Sequence, residues 1–131
     1  MLLAVGCGRT SPKQRLRDSL DGLKASLEAR DVAGMQQWLA DDFIGPEGLD
    51  RTGAKRIAQG VFLRHGDIGV NVGPLDVSLR PRHATVSFSA ALTGGSGGML
   101  PETAQLYDVE TGWRLDDGEW RLTSARWTPR L

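Results

Sequence analysis

The chain offers few side chains capable of catalysis or metal binding, and they stand far apart. It has one cysteine, Cys7, and two histidines, His65 and His83. A single thiol allows no disulfide within the chain, and two histidines are too few for a His-rich metal site. No Ser-His-Asp, Cys-His or metal-ligand spacing is visible. We therefore predict no catalytic residue, no metal and no cofactor.

The other polar candidates have structural interpretations. Asp41 and Asp42 could act as a carboxylate pair, but they fit better as the solvent-exposed end of a helix. Arg114 and Arg121 fall opposite each other in a predicted hairpin, so either acids or a bound anion must neutralise them. We favour intervening acids, such as Asp108, Glu110 or Glu119.

Composition limits the classes of function. The chain has 131 residues, of which 40% are hydrophobic, enough for one domain with a core. Its formal net charge is zero and it has no basic stripe, so we expect no nucleic-acid interface. No apolar run is long enough to span a bilayer.

The N-terminus is short and apolar. Leu3-Ala4-Val5-Gly6-Cys7 resembles the lipobox of bacterial lipoproteins, in which the cysteine is lipidated. Ala4 stands where leucine is commonest in a lipobox, and the basic region and most of the apolar region of a leader are missing. The resemblance implies a leader remnant and linker over residues 1–12 and a lipid anchor on Cys7 in the bacterial cell envelope. The alternative is an incidental cysteine in a cytoplasmic protein.

Three stretches predict helices. Residues 13–30 carry leucines at i, i+4, i+7 and i+11, which is the stripe of an amphipathic helix. Asp31 and Asp50 are suitable N-caps for two further helices. The second helix would run past Trp38, and in the third helix five apolar residues recur at helical spacing: Ala54, Ile57, Ala58, Val61 and Phe62.

The second half of the chain predicts strands. Residues 83–93 alternate apolar and polar side chains, and a glycine-rich connection follows over residues 93–101. Asp117-Gly118 then predicts a tight hairpin turn within residues 103–127. The predicted register pairs Trp113 with Leu122, Thr111 with Ser124 and Tyr107 with Thr128. It places Leu106 and Trp127 on the polar face.

Helices followed by strands predict an α+β fold, with three helices packed on one face of a curved antiparallel sheet. The element order resembles the nuclear transport factor 2-like (NTF2-like, SnoaL-like) superfamily over residues 13–127. The segments Leu39–Phe43, Gly112–Arg114 and Gly118–Leu122 carry this resemblance. It implies a cone-shaped domain over residues 13–131, a pocket between helices and sheet, and a homodimer through the exposed sheet face.

The resemblance also implies what the pocket could do. Enzymes of this superfamily, such as ketosteroid isomerase, place ionisable side chains inside it. The isomerase pattern has a tyrosine on the first helix and an aspartate shortly after the second. This chain has neither, since Phe43-Ile44-Gly45-Pro46 follows Asp42. Aromatic walls suit a small apolar ligand, although they could equally close the pocket. The candidate walls are Trp38, Phe43, Phe62, Tyr107 and Trp113.

Two functions remain open. The first is a non-catalytic module of the bacterial envelope that binds a small molecule or a protein. The alternative is a small pocket enzyme, an isomerase, dehydratase or hydrolase acting on an apolar molecule. An ionisable side chain pointing into the pocket would favour the enzyme.

Overall fold

The computed structural model describes residues 11–95 and 103–130. Residues 1–10 of the predicted leader and linker, with Cys7 among them, and most of the glycine-rich connection lie outside these ranges. The predicted α+β class is confirmed, with helices packed on a curved sheet. The elements in chain order are α1 (Pro12–Glu28), α2 (Val32–Gln37), β1 (Leu39–Ile44), a short 3-10 turn (Pro46–Gly48), α3 (Arg51–Arg64), β2 (Asp67–Val72), β3 (Asp76–Leu79), β4 (His83–Gly95), β5 (Thr103–Asp116) and β6 (Glu119–Pro129).

Each helix begins at a side-chain cap. Ser11, Asp31 and Asp50 each accept a hydrogen bond from the backbone N–H three residues further on. Such caps satisfy N–H groups that the first helical turn leaves without a partner. The predicted caps at Asp31 and Asp50 are thus confirmed.

The sheet has the order β1-β6-β5-β4-β2, and β3 also pairs with β4. Its neighbours are antiparallel except for β1, which runs parallel to β6. The prediction that Asp41 and Asp42 end a helix is wrong, because α2 stops at Gln37 and both residues lie in β1. This strand was missed because its alignment depends on β6, about 80 residues further along the chain.

The hairpin turn is confirmed, and its register is confirmed near the turn. Asp117 and Gly118 have φ values of 50° and 79°, the left-handed conformation that such a turn requires. Trp113 pairs with Leu122, as predicted.

Beyond Trp113, a β-bulge changes the pairing. Gly112 pairs with Ser124, so Thr123 is an extra residue on β6. Thr111 therefore faces Ala125, and Tyr107 faces Pro129. The predicted partners Ser124 and Thr128 are wrong.

The bulge also moves Trp127 to the other face of the sheet. Trp127 pairs with Val109, which in turn pairs with Phe88. Directly opposed residues share a face, so Trp127 lies with these apolar residues. The prediction that it lies on the polar face with Leu106 is wrong.

The core lies between the helices and one face of the sheet, which we call the inner face. A row of directly opposed residues, Ala84, Trp113 and Leu122, marks this face. Leu16 and Leu20 of α1 pack in the same buried cluster. The opposite face of the sheet is called the outer face.

Polar contacts hold α1 at both ends. The Trp120 Nε1 donates to the Pro12 carbonyl at 3.1 Å, next to the hairpin turn. At the other end, Glu28 Oε2 accepts from the Val70 N–H of the edge strand β2 at 3.1 Å. The helix therefore crosses the inner face between β6 and β2.

Candidate functional site

The five predicted pocket walls differ in how deeply they are buried. Phe43 and Trp113 are 3% and 1% exposed and belong to the packed core. Phe62 packs against that core from its margin, half-buried. Trp38 and Tyr107 are also half-buried. Phe43, Phe62 and Trp113 thus pack in or against one hydrophobic core. Their role as pocket walls stays a prediction.

Trp113 is held in place by a buried polar chain. Its Nε1 donates to Thr111 Oγ1 at 2.9 Å, and that hydroxyl donates to the Val86 carbonyl at 2.8 Å. A buried indole N–H needs such a partner. The ring is therefore fixed inside the core, where it fills the interior.

Beyond the core, the inner face continues as a half-exposed apolar surface. Phe88, Val109 and Trp127 form one cross-strand row, and Ala90, Tyr107 and Pro129 form the next. Leu92 lies two residues beyond Ala90 on β4. Leu92 and Trp127 are 39% and 40% exposed, whereas Phe88, Tyr107 and Val109 are half-buried and Ala90 is buried. We call the following residues the far inner face: Phe88, Leu92, Tyr107, Val109 and Trp127.

Only part of the far inner face is evident from the sequence. The alternation on β4 correctly put Phe88 and Leu92 on the face of Ala84 and Val86. It could not show that the packed core ends before Leu92. Trp127 was missed because the bulge at Thr123 carries no clear sequence signal.

The outer face carries ion pairs instead. Glu110 and Arg126 are directly opposed and form a salt bridge. The Arg130 Nη2 lies 2.6 Å from Asp108 Oδ1. Two shallow depressions, of about 340 and 470 Å³, open on this side of the sheet, and both include Glu110 and Arg126 in their walls.

Acids neutralise the opposed arginines, as predicted. Arg114 makes a two-pronged contact with Asp42, at 3.0 and 3.1 Å, and its Nε donates to Asp116. Arg121 Nη2 lies 2.6 Å from Glu119. Of the three acids proposed from sequence, only Glu119 takes part, because Asp108 and Glu110 pair with other arginines.

The Arg114 contact also sets the acidity of Asp42. The hydrogen bond from the Arg114 guanidinium lowers the pKa of this carboxyl below its ordinary value of 3.8. Asp42 is therefore a charged structural partner on the outer side, and it does not point into the interior as a proton-transfer group would.

The two histidines lie apart. His83 is exposed at the start of β4, and His65 follows α3, with its ring against Gly94. Within residues 11–95 and 103–130, no group of three or more His, Cys, Asp or Glu side chains could hold a metal ion. No helix among the described residues is long and apolar enough to cross a membrane.

No family model matches the chain, and no curated protein sequence matches it. Its fold nevertheless resembles solved structures. Bd1075 of Bdellovibrio bacteriovorus matches 90% of the chain, with a TM-score of 0.80 and 11% identity, and the chain spans 40% of Bd1075. An NTF2-like protein of Cytophaga hutchinsonii aligns with 92% of the chain over 100% of its own length, at a TM-score of 0.72 and 19% identity.

A third similar structure is a candidate scytalone dehydratase of Novosphingobium aromaticivorans. It aligns with 91% of the chain over 84% of its own length, with a TM-score of 0.77 and 9% identity. At such low identity the likeness shows the fold alone. The predicted NTF2-like, cone-shaped fold is thereby confirmed.

Proposed function

We propose that this NTF2-like domain is a non-catalytic binding module whose far inner face takes a small apolar molecule. The observation that carries the proposal is that the apolar inner face continues beyond the buried core, where the side chains of the far inner face are partly exposed. Trp127 and Leu92 keep about two fifths of their surface exposed. An exposed apolar surface of this kind is typical of a binding site.

The position of the polar groups supports binding over catalysis. Trp113 and Phe43 occupy the interior, where enzymes of this fold place ionisable groups. Asp42, the acid nearest to the place of the isomerase aspartate, contacts Arg114 on the outer side. A raised carboxyl pKa would suit a general base, but the pKa of Asp42 is lowered.

The test is a titration with 8-anilinonaphthalene-1-sulfonate, an anionic dye whose aromatic rings bind exposed apolar surfaces. We expect Tyr107→Ser and Trp127→Ala each to weaken dye binding about tenfold, because each removes a large part of the apolar contact. Leu106→Ser is the matched control, since Leu106 is 50% exposed but lies on the outer face. Circular dichroism checks that each variant is folded. Unchanged dye binding in both inner-face variants would contradict the proposal.

The enzyme alternative draws support from the similarity to a candidate scytalone dehydratase and from Tyr107 on the half-exposed surface. A tyrosine hydroxyl can polarise a carbonyl or an epoxide oxygen. Turnover of a model ketone or epoxide that is lost in Tyr107→Phe would favour the enzyme. Binding without turnover would favour the module.

We also propose that Cys7 carries a lipid anchor that holds the domain in the bacterial envelope. The lipobox-like segment before it supports this location. We expect the native protein to fractionate with membranes and Cys7→Ser to be released or left unprocessed. Identical mass and fractionation of the two proteins would rule the anchor out.

A further inference from the structure

Helix α3 has two unlike faces. Ala58 is buried, and Ala54 and Phe62 pack against the core beside it. On the other side, residues at i, i+1, i+4, i+7 and i+8 form one continuous strip. We call the following residues the α3 strip: Arg56, Ile57, Gly60, Leu63 and Arg64.

The α3 strip combines exposed apolar and basic side chains. Leu63 is 89% exposed and Ile57 is 52% exposed, and Arg56 and Arg64 beside them are exposed as well. Ile57 shares the helical spacing of Ala54, Ala58 and Phe62 but is exposed, because the core reaches only the narrow stripe around Ala58. Gly60 has no side chain to separate the strip from a flat surface.

Charge is segregated on this helix. The chain as a whole is neutral, but Arg51–Arg64 contains four basic residues and no acidic one. The acids nearest in sequence are Asp50, which caps the first turn, and Asp67, which begins β2. Arg30 adds a further charge at the end of the helix, where its Nη1 donates to the Phe62 carbonyl at 3.3 Å.

An ordinary solvated helix face mixes acids with bases. A single exposed leucine is normal, but Leu63 and Ile57 form an apolar patch between basic residues, which is the informative feature. A lipid surface explains both features together. Leucine and isoleucine can enter the acyl boundary, while arginine stems lie along it and their guanidinium groups reach the phosphates. Anionic headgroups complement the basic residues.

We propose that the α3 strip binds an anionic lipid surface. This contact is independent of the far inner face and of a lipid on Cys7. It would orient the domain on a membrane, with α3 against the headgroups.

The test is co-sedimentation of the full chain carrying Cys7→Ser, which excludes lipidation. Vesicles contain either phosphatidylglycerol with phosphatidylcholine or phosphatidylcholine alone. We expect binding to the anionic vesicles only, weakening as salt rises. Arg56→Gln with Arg64→Gln should weaken it about 25-fold, since each arginine contributes roughly a factor of five. Leu63→Asp should weaken it as well.

Two variants separate this surface from the rest of the molecule. Leu79→Asp on β3, where Leu79 is 42% exposed, and Trp127→Ala on the far inner face should bind the vesicles like the parent protein. Failure to bind anionic vesicles at low salt would overturn the proposal. Equal binding to neutral vesicles would overturn it too, as would loss of binding in the two control variants with retention in the α3 variants.

Discussion

At the scale of single residues, Thr111 is the buried hydroxyl on which the core depends. It is 4% exposed, accepts from Trp113 Nε1 and donates to the Val86 carbonyl. Removing the hydroxyl while keeping the shape of the side chain would leave the Trp113 Nε1 buried without this partner. Such groups destabilise a fold more than a made hydrogen bond stabilises it.

We therefore predict that Thr111→Val lowers the free energy of unfolding by about 1–3 kcal/mol. Urea denaturation followed by tryptophan fluorescence measures the change. Thr128→Val is the control, because Thr128 is exposed on β6 and should change little. Equal stability of the two variants would show that the buried chain does not matter.

The ion pair between Asp42 and Arg114 should make the stability of the protein depend on pH. Arg114 lowers the pKa of the folded Asp42, so the unfolded state binds the proton more readily. The stabilisation is present above the unfolded pKa and is lost as pH falls through the folded pKa. Asp42→Asn should therefore lower the urea midpoint at pH 7, and the difference should shrink below about pH 4.

Asp41→Asn controls for the loss of a charge, since Asp41 is the exposed neighbour of Asp42. It should shift the midpoint less than Asp42→Asn at pH 7. High salt should reduce the effect at Asp42, because the pair is open to solvent. A difference that persists unchanged to pH 2 would refute the assignment to this ion pair.

At the scale of elements, the contact between α1 and Trp38, the C-cap of α2, depends on a glycine. A Cβ placed on Gly22 would lie 2.3 Å from Trp38 Cζ2, so the indole ring sits directly on the α1 backbone. Glycine weakens a helix by about 1 kcal/mol relative to alanine. The close approach of Trp38 explains why a glycine, Gly22, stands in the middle of α1.

Gly22→Ala should consequently destabilise the protein by about 1–3 kcal/mol, because overpacking exceeds the gain in helix propensity. Gly60→Ala in α3 is the matched control. There the nearest atom to a new Cβ is Arg64 Nη1, at 3.7 Å. That variant should be more stable by about 0.5–1 kcal/mol. Thermal unfolding of both proteins gives the comparison, and stabilisation by Gly22→Ala would contradict the packing argument.

At the scale of the whole molecule, we propose that the outer face of the sheet binds a second copy of the chain. Among the described residues no α-helix packs on this face, which carries the Glu110–Arg126 and Asp108–Arg130 pairs beside exposed Leu106. Ion pairs already satisfied within one chain can enter an interface with little unpaired charge. The move of Trp127 to the inner face reduces the apolar part of this surface.

We predict a homodimer through the outer face, related by a two-fold axis. Leu106→Glu should lower the dimer fraction measured by light scattering at about tens of micromolar protein, because it puts a like charge beside its own copy. Leu63→Glu on α3 is the control and should leave the mass unchanged. A monomer mass for the unaltered protein would rule the dimer out.

Local patterns in the sequence were enough to predict the class of fold. The caps at Asp31 and Asp50 and the turn at Asp117-Gly118 are each determined within a few residues, so they appear in the sequence itself. The leucine stripe of α1 is local in the same sense. Element types and order follow from such signals, and the resemblance to the NTF2-like fold followed from that order.

Tertiary structure decided the faces and the site. Strand β1 exists because β6 offers it a partner, and the bulge at Thr123 turns Trp127 to the inner side. The core covers Val86 but leaves Leu92 open, and on α3 it reaches Ala58 but leaves Ile57 exposed. These outcomes depend on contacts between residues far apart in the chain. Periodicity shows which side chains share a face, whereas only packing decides how much of that face another element covers.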